Sequence, residues 1–426
     1  MTLKRNVAPP VFGVDRVEYI QPDKYHLNNG VELFAMKSGD QEVVKIDFSF
    51  KAGSWYSKSR LDSTMAALML QEGTPGMKAS EIANTFDFYG SQFSSFSSYD
   101  NNYISLVSLN KYLPQLLPMV SEIIREASFP EEEFEIMRQK RKQRAIVDAG
   151  RVGLLAQKEF LRNLFGKGHP YSPVSSPDFF DTISLSDVKS HHSKHYRSDN
   201  MSVTVSGFAD STVIQLIQEN FSSTWGDPKQ EEVTNNYQLP VADKMLYIEK
   251  AGSSQNAIAM GKLFPTQHHP DFPGLKLLCT ILGGYFGSRL MSNIREKKGY
   301  TYSINASPVS FLHHGVFLVF AEVKTEKTEE TVKEIFREMD LLNSELITEK
   351  ELIPIQNYLL GRILEDFDGP FARAQTFSSL MEAGMDFGYY DRLIDTIKST
   401  TPAQIRDLSI KYLNPETMST VIAGVR

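Results

Sequence analysis

The stretch HHSKH at 191–195 holds three histidines, the side chains most often used as metal ligands at neutral pH. They fall on a helical segment with Ser and Lys between them. The matching stretch late in the chain, LSIK, carries no histidine, which favours a structural reading of all three. His268-His269 and His313-His314 fall where loops or turns are expected, and His169 in GHPY reads as structural rather than catalytic. FPEEEFE at 129–135 reads as an acidic helix start, with carboxylates suited to the positive end of the helix dipole. RQKRKQR at 138–144 reads as a solvated helix face. No nucleophile–base pair is visible. One further pair stands out. In NIREKKGYTYSI, Arg295 and Tyr302 lie seven residues apart around Gly299, a good helix stop. Leu290, Met291 and Ile294 give the preceding helix an apolar stripe. Arg295 then sits near a helix end and Tyr302 on the next strand, so both can point into one cavity. Read singly, Arg295 is a charge favoured by the helix C-terminus and Tyr302 an ordinary strand tyrosine. Tyr300 is a neighbouring candidate, taken to lie on the opposite strand face.

The elements that must position these residues occur twice. HYRSDNMSVTVSGF (195–208) closes the first half and KYLNPETMSTVIAGV (411–425) closes the chain. Tyr196 and Tyr412 are 216 apart, and Met201 and Met418 are 217 apart. A single offset near half the chain length implies two copies of one domain. Each block follows a helical segment with a capping signal, Ser186 in one and Thr401 in the other. WGDPKQEEVTNNYQLPVADK (225–244) is polar with two prolines and reads as the connection. The expected division is a domain over 1–225, a linker over 226–244 and a second domain over 245–426.

In the first half, HLNNGVELFAMKS predicts a hairpin turning at Asn29-Gly30. VVKIDFSFKAGS alternates as a half-buried strand. RLDSTMAALMLQEGT (60–74) predicts a helix, and KASEIANTFDFYG another, capped by Ser80 and stopped by Gly90. SQFSSFSSYDNNYISLVSL predicts a second hairpin, and helices follow from about 112 to 164. The second half repeats this with strands near 245–263, helices across 270–298, a strand after Gly299, a hairpin near 316–323 and further helices. The fold class is α+β: two homologous domains, each a mostly antiparallel sheet covered by helices on one face.

Bulk properties narrow the function classes. With 426 residues, one core is too small a unit. A net charge of -7 argues against a nucleic-acid partner, which needs a basic face. The single Cys279 excludes an internal disulfide framework and a cysteine-based zinc knuckle. No apolar run approaches the roughly 20 residues of a membrane span. The first 19 residues have basic side chains but no apolar segment behind them, so a cytoplasmic location is expected, a removed presequence aside.

The order is strand, helix ending in Gly73-Thr74, helix, hairpin, helices, GKGHPYSPV, helix and YRSDNMSVTVSGF. With ILGGYFGSRLMSNIREKKGYTYSINA (281–306), it resembles the pitrilysin-like zinc metallopeptidases, the family of insulin-degrading enzyme and mitochondrial processing peptidase. The resemblance covers nearly the whole chain. Active members carry His-x-x-Glu-His on the helix before Gly-Thr. Residues four apart share a helix face, so both imidazoles reach one zinc ion, and the Glu takes a proton from its water.

Counted back from Gly73-Thr74, those three positions are Thr64, Ala67 and Leu68. The downstream Glu ligand should fall in KRKQRAIVDAG (140–150), where Asp148 is the sole carboxylate. All four functional groups are therefore missing. The family's edge-strand pattern Gly-x-x-x-Asn-Ala is altered too, with Ser94 and Ser95 at its end. The Arg/Tyr segment is intact. In the family that pair holds the substrate backbone and stabilises the oxyanion, facing zinc across a closed chamber. The resemblance thus implies a non-catalytic, zinc-free subunit that supplies Arg295 and Tyr302 to a homologous zinc-binding partner, in a heterodimer acting on peptides. The alternative it implies is a degenerate scaffold, comparable to the core subunits of the cytochrome bc1 complex.

Overall fold

The computed structural model describes residues 17–59, 61–174, 176–226 and 237–426. The N-terminal segment and the middle of the expected linker lie outside them. The first half supplies strands β1 (Asp23–His26), β2 (Glu32–Lys37), β3 (Val43–Phe50), β4 (Gln92–Ser97), β5 (Asn102–Leu109) and β6 (Met201–Gly207). The second supplies β7 (Met245–Glu249), β8 (Gln255–Phe264), β9 (Thr301–Ser310), β10 (Gly315–Lys324) and β11 (Ser419–Gly424). Their orders are β1-β2-β6-β3-β5-β4 and β7-β11-β8-β10-β9, so apart from β1 the two sheets share one topology. In each, the last strand joins the first of the repeat in parallel, β6 beside β2 and β11 beside β7; the other pairs are antiparallel. The internal repeat read from the sequence is therefore a structural one.

The helices also correspond in order. They are α1 (Asp62–Met69), α2 (Ala79–Phe88), α3 (Leu113–Glu126), α4 (Glu131–Asp148), α5 (Val152–Phe165), α6 (Leu185–His195) and α7 (Ser211–Phe221) in the first half. The second half has α8 (Phe272–Cys279), α9 (Thr328–Ser344), α10 (Glu349–Glu365), α11 (Gly369–Glu382), α12 (Gly388–Ser399) and α13 (Pro402–Tyr412). Two capping expectations need correction. The α6 cap is Ser184, whose hydroxyl accepts from the Asp187 N–H at 3.1 Å; Ser186 lies inside the helix. At α2, Ser80 is also internal, because Glu81 reaches back and accepts from the Lys78 N–H at 2.8 Å, which closes the first turn without a capping hydroxyl. Thr401 does cap α13, in a reciprocal arrangement with Gln404.

Helices do not cover the sheets on one face only. β3 alternates between half-buried and buried residues, as its sequence predicts. β8 is buried on both faces over most of its length: Ile258 and Met260 join the second core, while Ala257 and Ala259 pack under α5. Thus α5, from the first half, lies on β8 and β11 of the second sheet, with Ala156, Phe160 and Leu164 against Ala257, Ala259, Val421 and Ala423. Its counterpart α11 returns the favour by packing on β6 and β2. There Phe377 meets Phe34 at 5.1 Å between ring centres, and Ser378 bonds Thr204 at 3.0 Å. Burial of a Phe or Leu stabilises by about 1.5–3 kcal/mol, so each exchanged helix is a main contributor to its host sheet.

Polar contacts reinforce the exchange. Glu382 on α11 accepts from Ser49 at 2.7 Å and from Tyr103 at 2.5 Å, both on the first sheet. Near the opposite end, the tip of the β9–β10 hairpin docks on the first half. Trp55 stacks on His313 with ring centres 4.0 Å apart, and Asp100 accepts from the Tyr171 hydroxyl at 2.7 Å and the Leu312 N–H at 3.3 Å. His169 is buried here beside Phe165 and Tyr237, with its Nδ1 accepting from the Tyr171 N–H. His313 and His314 are turn residues, as expected, but in this junction. No helix among the described residues is long and apolar enough to cross a membrane.

Two stability predictions follow from buried titratable groups. Burial pushes the Glu382 carboxyl above its ordinary range, against the lowering effect of its hydroxyl partners. The folded state therefore binds its proton more tightly than the unfolded chain, and this contribution is present at low pH and lost as pH rises through the folded value. Glu382→Gln should remove that slope from denaturant midpoints measured across pH 4–7. Glu382→Ala should cost about 1 kcal/mol, because it leaves two half-buried hydroxyls without their acceptor. His191 and His192 behave oppositely. Their Nε2 atoms bond the carbonyls of Ala52 and Ile124 at 2.9 and 2.8 Å, and burial depresses both to about 4. Their contribution is present above the ordinary histidine value and lost as pH falls toward 4. Replacing His192 with Asn should flatten the acid limb of the unfolding profile by about one proton.

Candidate functional site

Where the family would hold zinc, α1 is anchored firmly. The Ser63 hydroxyl donates to the Ala52 carbonyl at 2.7 Å, and the Ser95 hydroxyl donates to the Ala67 carbonyl at 2.7 Å, tying α1 to the edge strand β4. Ala67 is fully buried, whereas Thr64 and Leu68, one turn apart, are half-buried on the same helix face. The geometry of a two-ligand face survives with neither ligand. Gly73 ends the segment at φ 149°, and Thr74 caps the following turn by accepting from the Met77 N–H. On α4, Asp148 is held by Arg144 at 3.3 Å and Arg151 at 3.9 Å.

The flanking charges are also engaged. Arg138 pairs with Glu135, and Lys142 reaches Asp181 at 2.5 Å, so the basic run is partly an ion-pair ladder and not only a solvated face. Glu131, Glu132 and Glu133 occupy the first turn of α4, as the acidic start predicts. Burial raises Glu72, with Glu133 adding to the effect. Ser94 lies on the same edge strand β4. Among the described residues no three His, Cys, Asp or Glu side chains come together as a metal cluster. His195 packs beside His191, and His269 accepts from the Asp271 N–H in a turn next to His268.

The second cluster is built on an irregular stretch of helix. Over Met291–Lys297 the helix widens into π-turns, a distortion often found at functional sites. Gly299 follows at φ 64°, and the Tyr300 N–H returns to the Ile294 carbonyl at 3.0 Å. Leu290, Met291 and Ile294 are buried, which fixes the helix and turns Arg295 outward. Tyr302 is the second residue of the edge strand β9 and is 83% exposed. The Arg295 guanidinium lies 5.0 Å from the Tyr302 ring and 4.7 Å from the ring of Phe286, itself 60% exposed.

Arg295 thus sits between two open aromatic rings. Neither its guanidinium nor the Tyr302 hydroxyl has a hydrogen-bond or ion-pair partner among the described residues. Phe286 is the member the sequence did not single out; its only mark was an aromatic residue inside GGYFGS. Close packing presents this loop: a Cβ on Gly283 would meet the Ala306 backbone nitrogen of β9 at 2.6 Å. Tyr300 points elsewhere. It precedes β9, before strand alternation applies, and packs under Lys298 and Lys327.

Two sequence profiles match the chain: the insulinase family, peptidase family M16, over residues 34–170, and the peptidase M16 inactive domain over residues 182–359. An uncharacterised zinc protease of Rickettsia felis is 25% identical over 346 residues, covering 79% of this chain and 82% of that protein. The zinc protease PqqE of Helicobacter pylori is 25% identical over 341 residues, covering 76% of each. Among solved structures, a peptidase M16 inactive domain from Pseudomonas fluorescens superposes with a TM-score of 0.84 at 22% identity, covering 95% of this chain and 98% of that one. A chain of Complex III2 from Candida albicans gives 0.76 at 14% identity, covering 94% and 95%. With both profiles in sequence order, on two copies of one fold, the chain belongs to the insulinase family, peptidase family M16.

Proposed function

We propose that this chain is a non-catalytic subunit of a zinc metallopeptidase, and that it works only when paired with a homologous subunit that carries His-x-x-Glu-His. The observation that carries this reading is the contrast between the two clusters. The face of α1 presents Thr64 and Leu68, which give a zinc ion nothing to bind. Half-buried Arg295 and exposed Tyr302 are held side by side, with no hydrogen-bond or ion-pair partner among the described residues. A pair kept for folding alone would be expected to spend its donors within the chain.

In the assembly, Arg295 would donate to a carbonyl of the peptide backbone. The Tyr302 hydroxyl would donate to the oxygen that becomes negative when zinc-bound water attacks the scissile carbonyl. Phe286 would hold the guanidinium in place by stacking, which limits its freedom without neutralising it. The zinc and the general base would come from the partner. The substrate class is an extended peptide or unfolded segment, expected in the cytoplasm.

The test mixes this chain with a zinc-bearing homologue from the same genome and follows cleavage of an internally quenched peptide. Each protein alone is expected to be slow, and the mixture fast. Tyr302→Phe should lower kcat of the mixture by about 10²–10³, the effect of losing one oxyanion donor, and Arg295→Ala should raise KM as well. Phe286→Ala should act in the same direction as Arg295→Ala but more weakly. Cleavage and bound zinc in this chain alone would sink the proposal. A mixture whose activity ignores all three substitutions would instead identify a scaffold subunit.

A further inference from the structure

A large cavity lies elsewhere, between the two halves, and neither Arg295 nor Tyr302 lines it. Its volume is about 740 Å³, within the usual range for small-ligand sites. One wall is the β4–β5 hairpin of the first half, at Tyr99–Asn101 and Tyr103. The others are α8, the inner residues of the edge strand β9, and helices α10 and α11. By order in the repeat, α8 and β9 are the second-half counterparts of α1 and β4. The cavity therefore occupies, in the second half, the place that the zinc cleft occupies in the first.

Its charged groups are unequally satisfied. Asp100 is bonded by Tyr171 and the Leu312 N–H, Glu382 by Ser49 and Tyr103, and Asp366 accepts from the Tyr390 hydroxyl at 3.3 Å. Arg362 pairs with Glu365. Lys276 on α8 lines the cavity with no hydrogen-bond or ion-pair partner among the described residues. Burial lowers its ammonium below the ordinary lysine range, and Asp366 opposes that only in part. A desolvated amine without a counter-ion is a cost that a bound anion would remove.

The surroundings select the anion. Three carboxylates border the space, so a doubly charged group such as a phosphate would meet more repulsion than one free ammonium offsets. Ser307, Ser310 and Thr280 also line the cavity with hydroxyls, Thr280 one turn from Lys276 on the same helix, while Tyr358, Tyr389 and Phe311 supply aromatic wall. We propose that this inter-domain cavity is a binding site for a singly charged carboxylate with an apolar or aromatic body, held through Lys276. Such a group occurs as the C-terminus of a peptide and as a free small carboxylic acid.

Calorimetric titration of the full chain with three probes separates these sources and tests the site. The probes are N-acetyl-Ala-Ala-Phe with a free C-terminal carboxylate, the same peptide as its C-terminal amide, and 3-phenylpropionate. The free-acid peptide is expected to bind and the amide to bind roughly 10- to 100-fold more weakly, the loss of one charge-assisted contact. Binding of 3-phenylpropionate as well would extend the site to free acids, and its failure to bind would restrict the site to peptide termini.

Lys276→Gln should weaken the free-acid peptide by the same factor with little change in melting temperature. Ser307→Trp, which fills the cavity from β9 and leaves Lys276 intact, should abolish binding. The proposal is overturned if acid and amide bind alike, if no acid binds, or if Ser307→Trp binds as the wild type does. None of these outcomes bears on cleavage by the mixed subunits.

Discussion

Each sheet of this protein is covered in part by a helix from the opposite half. α5 leaves the first half to lie on β8 and β11, and α11 leaves the second to lie on β6 and β2. The small residues Ala257, Ala259 and Ala423 let α5 approach closely, and Glu382 adds a half-buried polar contact where α11 meets the first sheet. Much else depends on this exchange. It fixes the separation of the halves, which creates the inter-domain cavity, and it brings the β9–β10 tip against Trp55 and Asp100. β4 and β9 each lie at an edge of their sheets, one beside the α1 face that carries Thr64 and Leu68, the other with Tyr302 as its second residue.

The two clusters differ in what evolution could remove. A zinc site needs several ligands on one face, and the loss of each leaves an unremarkable helix. Here α1 keeps its anchors through Ser63 and Ser95 and its buried Met65, Ala66 and Met69, so its packing is independent of its lost chemistry. The Arg295 cluster is the reverse. Its helix is distorted, its loop is packed too tightly for a Cβ at Gly283, and among the described residues its guanidinium and hydroxyl have no hydrogen-bond or ion-pair partner. A π-helical distortion and unpaired donors are features often met where groups contact a partner or a substrate.

Much of this was legible in the residues. The alternation of VVKIDFSF gave β3 and its half-buried face, and the matching blocks at 195–208 and 411–425 became β6 and β11 in equivalent places. Counting back from Gly73-Thr74 picked out Thr64 and Leu68, which the structure sets one turn apart on one face of α1. The helix exchange could not be read. The apolar stripe of α5 says that a face is buried but not which sheet buries it. The caps of α2 and α6 were misplaced by short distances because a neighbouring side chain, Glu81 or Ser184, met the same need. Phe286 escaped notice because an exposed aromatic residue in a glycine-rich loop has no periodicity to reveal it. The cavity around Lys276 depends on contacts between the halves, which no local pattern encodes.

The exchanged helices also bear on how such a chain could have arisen. A protein made of one repeat would carry a helix with no sheet of its own to cover and a sheet face with no helix. Two copies would cure both defects at once by trading helices about a twofold axis. Duplication and fusion would then turn that obligate dimer into a single chain without changing one contact. Afterwards the two halves would be free to diverge, one losing its metal and the other keeping its arginine and tyrosine.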